Sequence, residues 1–483
     1  MKAAIISTYN KGGAGIAAHR LHRALQQANI ESDMFTKSAL KENPEVCNPL
    51  AENYIIPWFH TTVKPGNTMS SLPYPSTGLN FLNNFSSYDI INLHWITHFI
   101  PLEAIYTVDK PIVWTLHDQN TFTGGCHYTH GCTGYEKDCS NCPQIINDYA
   151  KRVLAVKHSH LPENIVLVTP SKWMGDCARQ SSLFKNNRIE VIPNSIDTEV
   201  FKQYEKTEAR AKLGLPQDNK VIMLSAMDLT ERRKGLHHFI EAFRKITKHE
   251  EIKILTCGAG DIIPGLESFC KPMGIVEDEN LLAMMYSAAD VFVLPSEEDN
   301  LPNVMLESLS CGTPVVAFRT GGMAETIIEG ETGELAEPFD AGMLAEKIDK
   351  ALENNASMRQ RCREYALDNF SFNVQAARYK ALFEDVIKSY SGLEEGKTAP
   401  PICPELVQLF GEGMCSAVEN NRNELEKMYE HIREVNLNAL DANWRVQYDE
   451  VLAANNELTN SFSWKITKPL RAVSRLMKRE QEI

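Results

Sequence analysis

Acidic and amide side chains surround a proline near residue 300, and their spacing suits the binding of a polar ligand. Proline is favoured in the first turn of a helix, so Pro302 predicts a helix start with Asp299 and Asn300 just before it. Glu307 then lies more than one turn inside that helix. Two carboxylates, together with backbone N–H groups around Asn300 and Leu301, make a candidate ligand site. Two acids at this separation are otherwise typical of a solvated helix face.

Three adjacent cations form a second candidate site. Arg232, Arg233 and Lys234 follow the apolar run Val221 to Leu224, which predicts a β-strand. At the carboxyl edge of a parallel sheet such a loop faces the ligand crevice, where Arg and Lys can hold a diphosphate. The alternative is that the three cations are simply solvated.

A glycine-rich turn containing Gly12 and Gly13 lies between the first apolar run of the chain and a stripe of apolar residues at helical spacing. Backbone N–H groups at such a strand-to-helix turn bind phosphate readily. The turn also matches the loose dinucleotide fingerprint, which raises the alternative of a nicotinamide dehydrogenase. That enzyme needs an acid at the end of the second strand, whereas the segment Ser32 to Thr36 is followed by Lys37. A tight turn without a ligand is the other alternative.

Four cysteines lie close together in the sequence, with two histidines between them: Cys126, Cys132, Cys139 and Cys142. One C-x-x-C pair and two further thiols can supply the four ligands of a structural zinc ion. Unliganded buried thiols are the alternative, and a disulfide is disfavoured in a reducing compartment.

The elements that must position these groups alternate between β-rich runs and amphipathic helices. The pattern begins near residue 3 and restarts after residue 215, which predicts two doubly wound parallel sheets in tandem. Between them, the segment Ile189 to Asp197 combines a short strand with a proline and turn formers, and we interpret it as the interdomain linker beside a cleft. The expected divisions of the chain are 1–190, 191–390 with a last helix that could cross back, a linker at 391–404 and a helical extension at 405–483.

Composition limits the classes of function. The chain has 483 residues, 43% apolar and 23% charged, as expected for a globular protein of several domains. A net charge of −14 argues against a surface that binds nucleic acid throughout. The N-terminal apolar run is too short for a signal peptide, and no run approaches the ~20 residues that span a bilayer. We therefore expect a cytoplasmic protein with reduced cysteines and no nucleic-acid partner.

The C-terminal extension contains two further features. Apolar residues from Leu425 to Val446 alternate at three- and four-residue spacings, which predicts a short coiled coil and self-association through 425–446. The tail 461–483 carries a net charge of +4, with Phe462, Trp464 and aliphatic residues among its cations. Such a tail suits an anionic membrane surface, which would place the protein peripherally on the inner face of the membrane. A solvated tail that caps the preceding helix is the alternative.

The order of the motifs resembles that of the retaining, nucleotide-sugar-dependent glycosyltransferases of family four. The resemblance runs from Met1 to about Tyr390 and is carried by Gly12-Gly13-Ala14-Gly15, His117-Asp118, Thr169-Pro170-Ser171, Pro193-Asn194-Ser195-Ile196-Asp197, Arg233-Lys234-Gly235 and the stretch from Asp299 to Pro314. It implies an α/β fold of the GT-B class, two facing Rossmann-like domains with a central cleft, followed here by the helical or coiled-coil extension. It also implies an enzyme whose chemistry requires no cofactor.

For the phosphate side of the site, the resemblance implies that Gly12 and Gly13 approach the donor diphosphate and that Lys234 binds a phosphate. Many family members carry an arginine six residues before this lysine, where this chain has Asp228. Arg233 or the arginine before it would have to supply the second phosphate contact. These cations and the N–H groups of the glycine turn would stabilise the charge that builds on the leaving phosphate.

For the sugar side, the resemblance implies that His117 contacts the donor sugar near the reacting carbon and that Asp299 lies against that sugar. Glu307 would bind the nucleotide ribose, with Asn300 and Leu301 in the same donor-binding stretch. The family usually has glutamate where this chain has Asp299, so either the sugar sits differently or the neighbouring acid assists. The expected catalytic residues are His117, Asp299 and Lys234.

We therefore expect a hexosyltransferase that moves a sugar from a nucleotide-diphosphate-sugar donor to a glycan or lipid-linked glycan acceptor. Retention of the anomeric configuration and a place in bacterial surface-polysaccharide biosynthesis follow from the same resemblance. One alternative is a catalytically silent GT-B protein that binds or scaffolds an active enzyme, which the departures at Asp299 and Asp228 allow. The other is a GT-B sugar-nucleotide epimerase, which would need neither the basic tail nor a large acceptor surface.

Overall fold

The computed structural model describes residues 1–392, apart from 38, 40–58, 61, 65–68, 74–78, 107, 162–164 and 248, and it also describes 409 and 412. The predicted coiled-coil seam at 425–446 and the basic tail at 461–483 lie outside the described residues, as does the predicted linker from residue 393 onward. Within the described part, the chain forms two parallel six-stranded sheets in succession.

The first sheet has the strand order β2-β1-β3-β4-β5-β6, and its strand pairs are parallel. Its strands are β1 (Lys2–Ser7), β2 (Glu31–Thr36), β3 (Ile90–Leu93), β4 (Ile112–Thr115), β5 (Val166–Thr169) and β6 (Ile189–Val191). The helices of this half are α1 (Gly12–Gln27), α2 (Tyr149–His160) and α3 (Lys172–Gln180). Helices cover both faces of such a sheet, which explains why the central strands are almost continuously apolar.

The second sheet has the strand order β12-β11-β10-β7-β8-β9, again with parallel pairs. Its strands are β7 (Lys220–Asp228), β8 (Ile252–Ala259), β9 (Cys270–Pro272), β10 (Val291–Leu294), β11 (Val315–Phe318) and β12 (Gly333–Ala336). The helices that follow the first half in sequence are α4 (Lys206–Leu213), α5 (Leu236–Phe243), α6 (Glu279–Ala288), α7 (Asn303–Ser310), α8 (Met323–Thr326), α9 (Ala341–Phe370) and α10 (Phe372–Ser389).

The predicted α/β architecture with two parallel sheets is confirmed. The segment Ile189 to Asp197, interpreted from the sequence as the linker, begins with β6, which pairs with β5 at the edge of the first sheet. Pro193 has no backbone N–H to donate to a neighbouring strand, and the chain leaves the sheet at this point. The linker therefore contributes a strand to the first half before it crosses to the second.

The last described helix returns to the first half. Side chains of α10, including Tyr379 and Phe383, share an apolar cluster with α1 and the first sheet. The hydroxyl of Tyr379 lies 3.0 Å from the hydroxyl of Thr115 on β4. The junction of α9 and α10 also contacts the linker, since the N–H of Ile196 donates to the carbonyl oxygen of Phe370 at 2.8 Å. The two halves are thus joined by two chain crossings that lie side by side.

The loops at the carboxyl ends of the strands carry the predicted site residues. In open α/β sheets these ends border the ligand crevice, so the loops after β1, β4, β7 and β10 are the ones expected to meet a ligand. Among the described helices, none combines the length and the apolar character needed to cross a membrane.

Candidate active site

A buried carboxylate, Asp299, lies at the centre of the candidate site, in the loop between β10 and α7. Lys234 Nζ lies 2.7 Å from its Oδ2, and Arg233 Nη1 lies 3.0 Å from the same oxygen. The hydroxyl of Tyr128, from the first half, donates to Oδ1 at 3.2 Å. Burial raises the pKa of Asp299, but Lys234 and Arg233 outweigh burial and hold the pKa well below its ordinary value. Asp299 is therefore ionised and contacts both halves of the chain.

The turn that carries the two cations depends on a glycine. Arg232–Lys234 forms one turn of 3-10 helix, and Gly235 follows it with a φ of +71°. A Cβ atom at Gly235 would lie 1.8 Å from the carbonyl oxygen of Pro295. Only glycine fits there, and it lets the turn approach the loop after β10 closely enough for the N–H of Glu297 to donate to the carbonyl oxygen of Arg233 at 2.8 Å.

The two cations differ in how firmly they are held. Arg233 is buried, donates to the carbonyl oxygen of Glu298 at 2.9 Å and to the Glu231 carboxylate at 2.9 Å, and its guanidinium lies 4.2 Å from the ring centroid of Tyr128. The Lys234 side chain is 18% exposed and pairs with the central carboxylate. Since Lys234 has a flexible stem and is more exposed, it is better placed than Arg233 to exchange its partner for an incoming anion.

A second buried carboxylate, Glu307, lies on α7. Its Oε1 accepts a hydrogen bond from Arg20 Nη2 at 2.8 Å, and its Oε2 accepts one from the hydroxyl of Tyr286 at 3.1 Å. Arg20 is a buried residue of α1 that also reaches Glu279 at 3.3 Å. Its Nε and Nη1 have no hydrogen-bond partner among the described residues. The acid expected to bind a ribose is thus held in an ion pair between the two halves.

The glycine turn at the start of α1 lies against the second half. Gly12 has a φ of +75°, and a Cβ atom there would lie 3.4 Å from Met227 Cε near the end of β7. Asn303, the first residue of α7, donates from Nδ2 to the carbonyl oxygen of Gly13 at 3.0 Å. The turn therefore faces the helix that carries Glu307, while the binding of phosphate by its N–H groups stays a prediction.

His117 lies after β4, at the junction of the two halves. Its Nε2 lies 2.8 Å from Nδ1 of His94, and the two rings stack with centroids 5.1 Å apart. His94 Nε2 in turn lies 3.0 Å from Oδ1 of Asn92. Burial lowers the pKa of His117 to about 4, so its imidazole is neutral near pH 7. It can donate or accept a hydrogen bond there but supplies no positive charge.

Asn300 and Leu301 have structural partners of their own. Asn300 is buried, accepts a hydrogen bond from Ser171 Oγ at 2.5 Å and donates one to the carbonyl oxygen of His117 at 3.0 Å. The side chain of Leu301 belongs to the apolar core of the second half. Any contact of Leu301 with a ligand would therefore use its backbone, and Asn300 holds the loop after β10 against the first half.

The sequence did not identify three partners of the central acids: Tyr128, Arg20 and Tyr286. For Arg20 the sequence does contain an indication. This residue lies among Ala17, Leu21 and Ala24 on the predicted apolar face of α1, and a cation buried there requires an acidic partner. No comparable signal marks the two tyrosines. Tyr128 meets Asp299 only after both halves have folded, and Tyr286 meets Glu307 across β10 of its own half.

The four clustered cysteines border one small cavity of about 10 Å³ in the loop after β4. The backbone N–H of Gly134 lies 3.4 Å from the sulfur of Cys132, and that of Ile145 lies 3.4 Å from the sulfur of Cys142. Burial raises the pKa of Cys139 to about 11. All four cysteines are free thiols, and no three of their sulfurs lie within 4.8 Å of one another.

Glu298 is a further buried acid in the loop after β10. Its Oε2 accepts a hydrogen bond from the N–H of His130, in the cysteine-rich loop, at 2.7 Å. Burial raises the pKa of Glu298 to about 7, against the opposing effects of this hydrogen bond and of Arg233. Glu298 thus changes charge near neutral pH at a contact between the halves.

The raised pKa of Glu298 gives a pH-dependent contribution to stability. The folded protein keeps a proton that the unfolded chain releases, so this contribution is present below a pH of about 4.5 and is lost as pH rises through about 7. Glu298→Gln mimics the protonated form. The melting temperature of the variant minus that of the unaltered protein is therefore expected to increase from about pH 5 to about pH 8. Glu346→Gln, at an exposed acid on α9, is the matched control, and a difference that does not change with pH would contradict the assignment.

Two glycosyltransferase families match the chain. Residues 11–200 match the family described as Glycosyltransferase Family 4, and residues 205–368 match the one described as Glycosyl transferases group 1. The first match covers most of the half built on the first sheet, and the other covers the second sheet and most of α9. Together they span all of the loops that carry the candidate site.

Known proteins resemble the chain over most of its length. N-acetyl-alpha-D-glucosaminyl L-malate synthase of Bacillus anthracis is 24% identical over 78% of this chain and 95% of that protein. Sucrose-phosphate synthase from Thermosynechococcus elongatus superimposes with a TM-score of 0.58 at 21% identity, over 80% of this chain and 100% of that one. UDP-bound HepE of Anabaena gives a TM-score of 0.55 at 18% identity, over 80% of this chain and 100% of that one. The first half of the chain therefore carries a family 4 glycosyltransferase domain, the second half carries a group 1 glycosyltransferase domain, and the chain has the GT-B fold.

Proposed function

We propose that this protein is a hexosyltransferase that moves a sugar from a nucleotide-diphosphate-sugar donor to a glycan or lipid-linked glycan acceptor. Retention of the anomeric configuration and a role in surface-polysaccharide biosynthesis are parts of the proposal. The observation that carries it is the pair Arg233 and Lys234, held with Asp299 at the carboxyl edge of the second sheet. Solved structures of HepE, which has the same fold, contain UDP, UDP with glucose, or UDP-glucose, which supports a nucleotide-sugar donor.

In this proposal Lys234 stabilises the departing diphosphate. Negative charge builds on the β-phosphate as the bond to the sugar breaks, and a preorganised cation at that point lowers the barrier. Arg233 keeps its several partners and holds the turn in place, while Lys234 exchanges Asp299 for a phosphate oxygen. N–H groups of the turn at Gly12 and Gly13 would share the remaining charge.

Asp299 and His117 would act on the sugar. Asp299 is ionised and already shared between two cations, which makes it a weak nucleophile and suits a role in orienting sugar hydroxyls. His117 is neutral, and its imidazole can hydrogen-bond to the sugar near the reacting carbon. The acceptor would attack on the face from which the diphosphate leaves, which retains the configuration without a covalent enzyme intermediate.

Ribose binding at Glu307 would compete with the donors that this carboxylate already has. Its carboxylate accepts one hydrogen bond at each oxygen, from Arg20 and from Tyr286, so ribose hydroxyls would either share the remaining lone pairs or replace one of these donors. Arg20 comes from the other half, and opening the cleft would withdraw it. We infer that donor entry and the loss of the Arg20 to Glu307 pair are coupled.

A panel of sugar nucleotides tests the assignment. The full chain is incubated with each donor, and release of nucleoside diphosphate is measured together with conversion of the sugar. Slow hydrolysis of one donor supports the transferase. Conversion to an epimer would identify the epimerase alternative. Binding without either reaction, also in the presence of glycan acceptors, would identify the catalytically silent protein.

Lys234→Ala is expected to reduce turnover more than donor affinity, because the interaction with the leaving phosphate strengthens toward the transition state. Turnover should fall by more than about tenfold, a barrier change above about 1.4 kcal/mol. Lys245→Ala, at an exposed lysine of the same half, is the control. If turnover of Lys234→Ala stays within about tenfold, Arg233 becomes the candidate for the principal phosphate ligand.

Glu307→Gln and Arg20→Met are expected to change nucleotide affinity in opposite directions. Glu307→Gln removes a charged acceptor of the ribose, worth about 1.5 to 3 kcal/mol, and should weaken binding. Arg20→Met removes the competing donor and should strengthen binding. Calorimetry with UDP measures both, after circular dichroism has verified folding. Equal affinities in both variants and the unaltered protein would remove Glu307 from the ribose site.

We propose that the four clustered cysteines hold a structural zinc ion. Their thiols surround one cavity, and N–H groups directed at two sulfurs would stabilise thiolates. Zinc–sulfur bonds of about 2.3 Å would draw the sulfurs closer together than they lie here. The ion would fix the shape of the loop, and no reaction step depends on it.

Changing Cys139 and Cys142 together to serine is expected to remove one zinc ion per chain, measured by elemental analysis of protein purified without added metal. Melting temperature should fall while UDP affinity is kept, because the cluster lies outside the proposed donor contacts. Cys270→Ser is the control. An unaltered protein that contains no zinc would end this proposal.

We also propose that the tail 461–483 binds anionic membranes and that 425–446 mediates self-association; both lie outside the described residues. Each cation near an anionic leaflet is worth about 1 kcal/mol, and Phe462 and Trp464 add apolar burial. Deleting 461–483 is expected to spare donor hydrolysis and to abolish sedimentation with anionic liposomes. Binding of the full chain should weaken at high salt. Binding indifferent to salt and lipid charge would contradict the membrane role.

A further inference from the structure

Two histidines and a glutamate converge at the carboxyl edge of the second sheet, close to the cations of the candidate site. His237 and His238 lie in the first turn of α5, and Glu297 lies in the loop after β10. Nε2 of His237 is 3.3 Å from Oε1 of Glu297, and Nε2 of His238 is 3.2 Å from the same oxygen. The three ligand atoms all lie within 4.8 Å of one another.

These separations fit a tetrahedral metal ion. Zinc binds imidazole nitrogen and carboxylate oxygen at about 2.0 to 2.2 Å, which places neighbouring ligand atoms about 3.3 to 3.6 Å apart in a tetrahedron. The contacts of Glu297 with His237 and His238 are at or just below this range. Two histidines and one glutamate are also a ligand set that holds zinc in other proteins.

Neighbouring groups orient the histidines toward this point. The ring of His238 stacks on Phe339 at 5.6 Å and meets the edge of Phe318 at 5.3 Å, which fixes the direction of its Nε2. The His237 ring lies 3.9 Å from that of His238.

A fourth group approaches from the other half of the chain. Nδ1 of His130, in the cysteine-rich loop, lies 3.8 Å from Oε2 of Glu297. The backbone of His130 is held in place by its N–H, which donates to Glu298, and its φ of +49° is unusual for a residue with a side chain. This imidazole faces Oε2 of Glu297, whereas His237 and His238 contact Oε1, and it lies outside the group of three ligand atoms, so it would have to move toward a metal ion bound there.

We propose that His237, His238 and Glu297 form a zinc site, with His130 as the fourth ligand. The site is separate from the cysteine cluster. Because His130 belongs to the first half, the bound ion would tie the cysteine-rich loop to the loop after β10 and limit opening of the cleft. The proposal concerns metal binding and does not depend on the transferase reaction.

Cobalt(II) titration of the metal-depleted full chain tests the site, because thiolate ligands give an intense charge-transfer band that histidine and carboxylate ligands lack. The unaltered protein should show a binding event without that band. Two variants should each lose this binding event: Glu297→Gln, which keeps the shape of the side chain, and His238→Ala. If the cysteines bind cobalt, both variants should keep the thiolate band. His158→Ala, at an exposed histidine on α2, should change neither.

Thermal unfolding gives an independent measurement. Zinc should raise the melting temperature of the unaltered protein more than that of Glu297→Gln, because a ligand that binds only the folded state stabilises it. His130→Ala should reduce the affinity and the zinc-dependent rise. If the unaltered protein, Glu297→Gln and His238→Ala bind zinc with the same stoichiometry and affinity, the three residues form only a hydrogen-bonded cluster. An unchanged affinity in His130→Ala would overturn the link between the halves.

Discussion

The buried charge of Asp299 must be compensated, and this constraint organises the candidate site. An ionised carboxylate removed from water costs several kcal/mol unless cations and hydrogen-bond donors surround it. Lys234 and Arg233 come from the turn after β7, while Tyr128 comes from the cysteine-rich loop of the other half. Movement of either loop alone would leave the carboxylate short of a partner. The glycine at 235 matters for the same reason, because it allows the turn to reach the loop after β10.

The pair formed by Arg20 and Glu307 repeats this arrangement at the other end of the site. Each of the two acids thus has a partner from the opposite half, a tyrosine hydroxyl for Asp299 and the Arg20 guanidinium for Glu307, so buried polar contacts link the halves across the cleft. Such contacts are strong only while all partners are present, since separating them leaves a buried charge unpaired. In the proposed reaction, the donor would replace them group by group, with phosphate at Lys234 and ribose at Glu307.

Local patterns in the sequence predicted the sheets well, because buried parallel strands are apolar over their whole length and α1 shows its stripe directly. The loop after β10 and the cations after β7 were also predictable, since polar residues at strand ends face the crevice. The partners Arg20, Tyr128 and Tyr286 were not identified. Arg20 and Tyr128 meet acids of the other half, and Tyr286 meets Glu307 across β10, 21 residues along the chain, and no helix or strand period encodes these contacts. For the same reason, the sequence could not show that β6 extends the first sheet.

The structure bears on the aspartate that replaces the glutamate usual in the family. Glu298 could compensate for the missing methylene only if its carboxylate were directed toward the sugar. It instead accepts the N–H of His130, and its pKa near 7 means that it is partly protonated at neutral pH. Asp299 has a short side chain, and its carboxylate lies against Lys234, Arg233 and Tyr128. A sugar bound to Asp299 would therefore lie closer to Lys234 and Arg233 than a sugar bound to a glutamate at this position. The leaving phosphate of that sugar would then also lie nearer to Lys234.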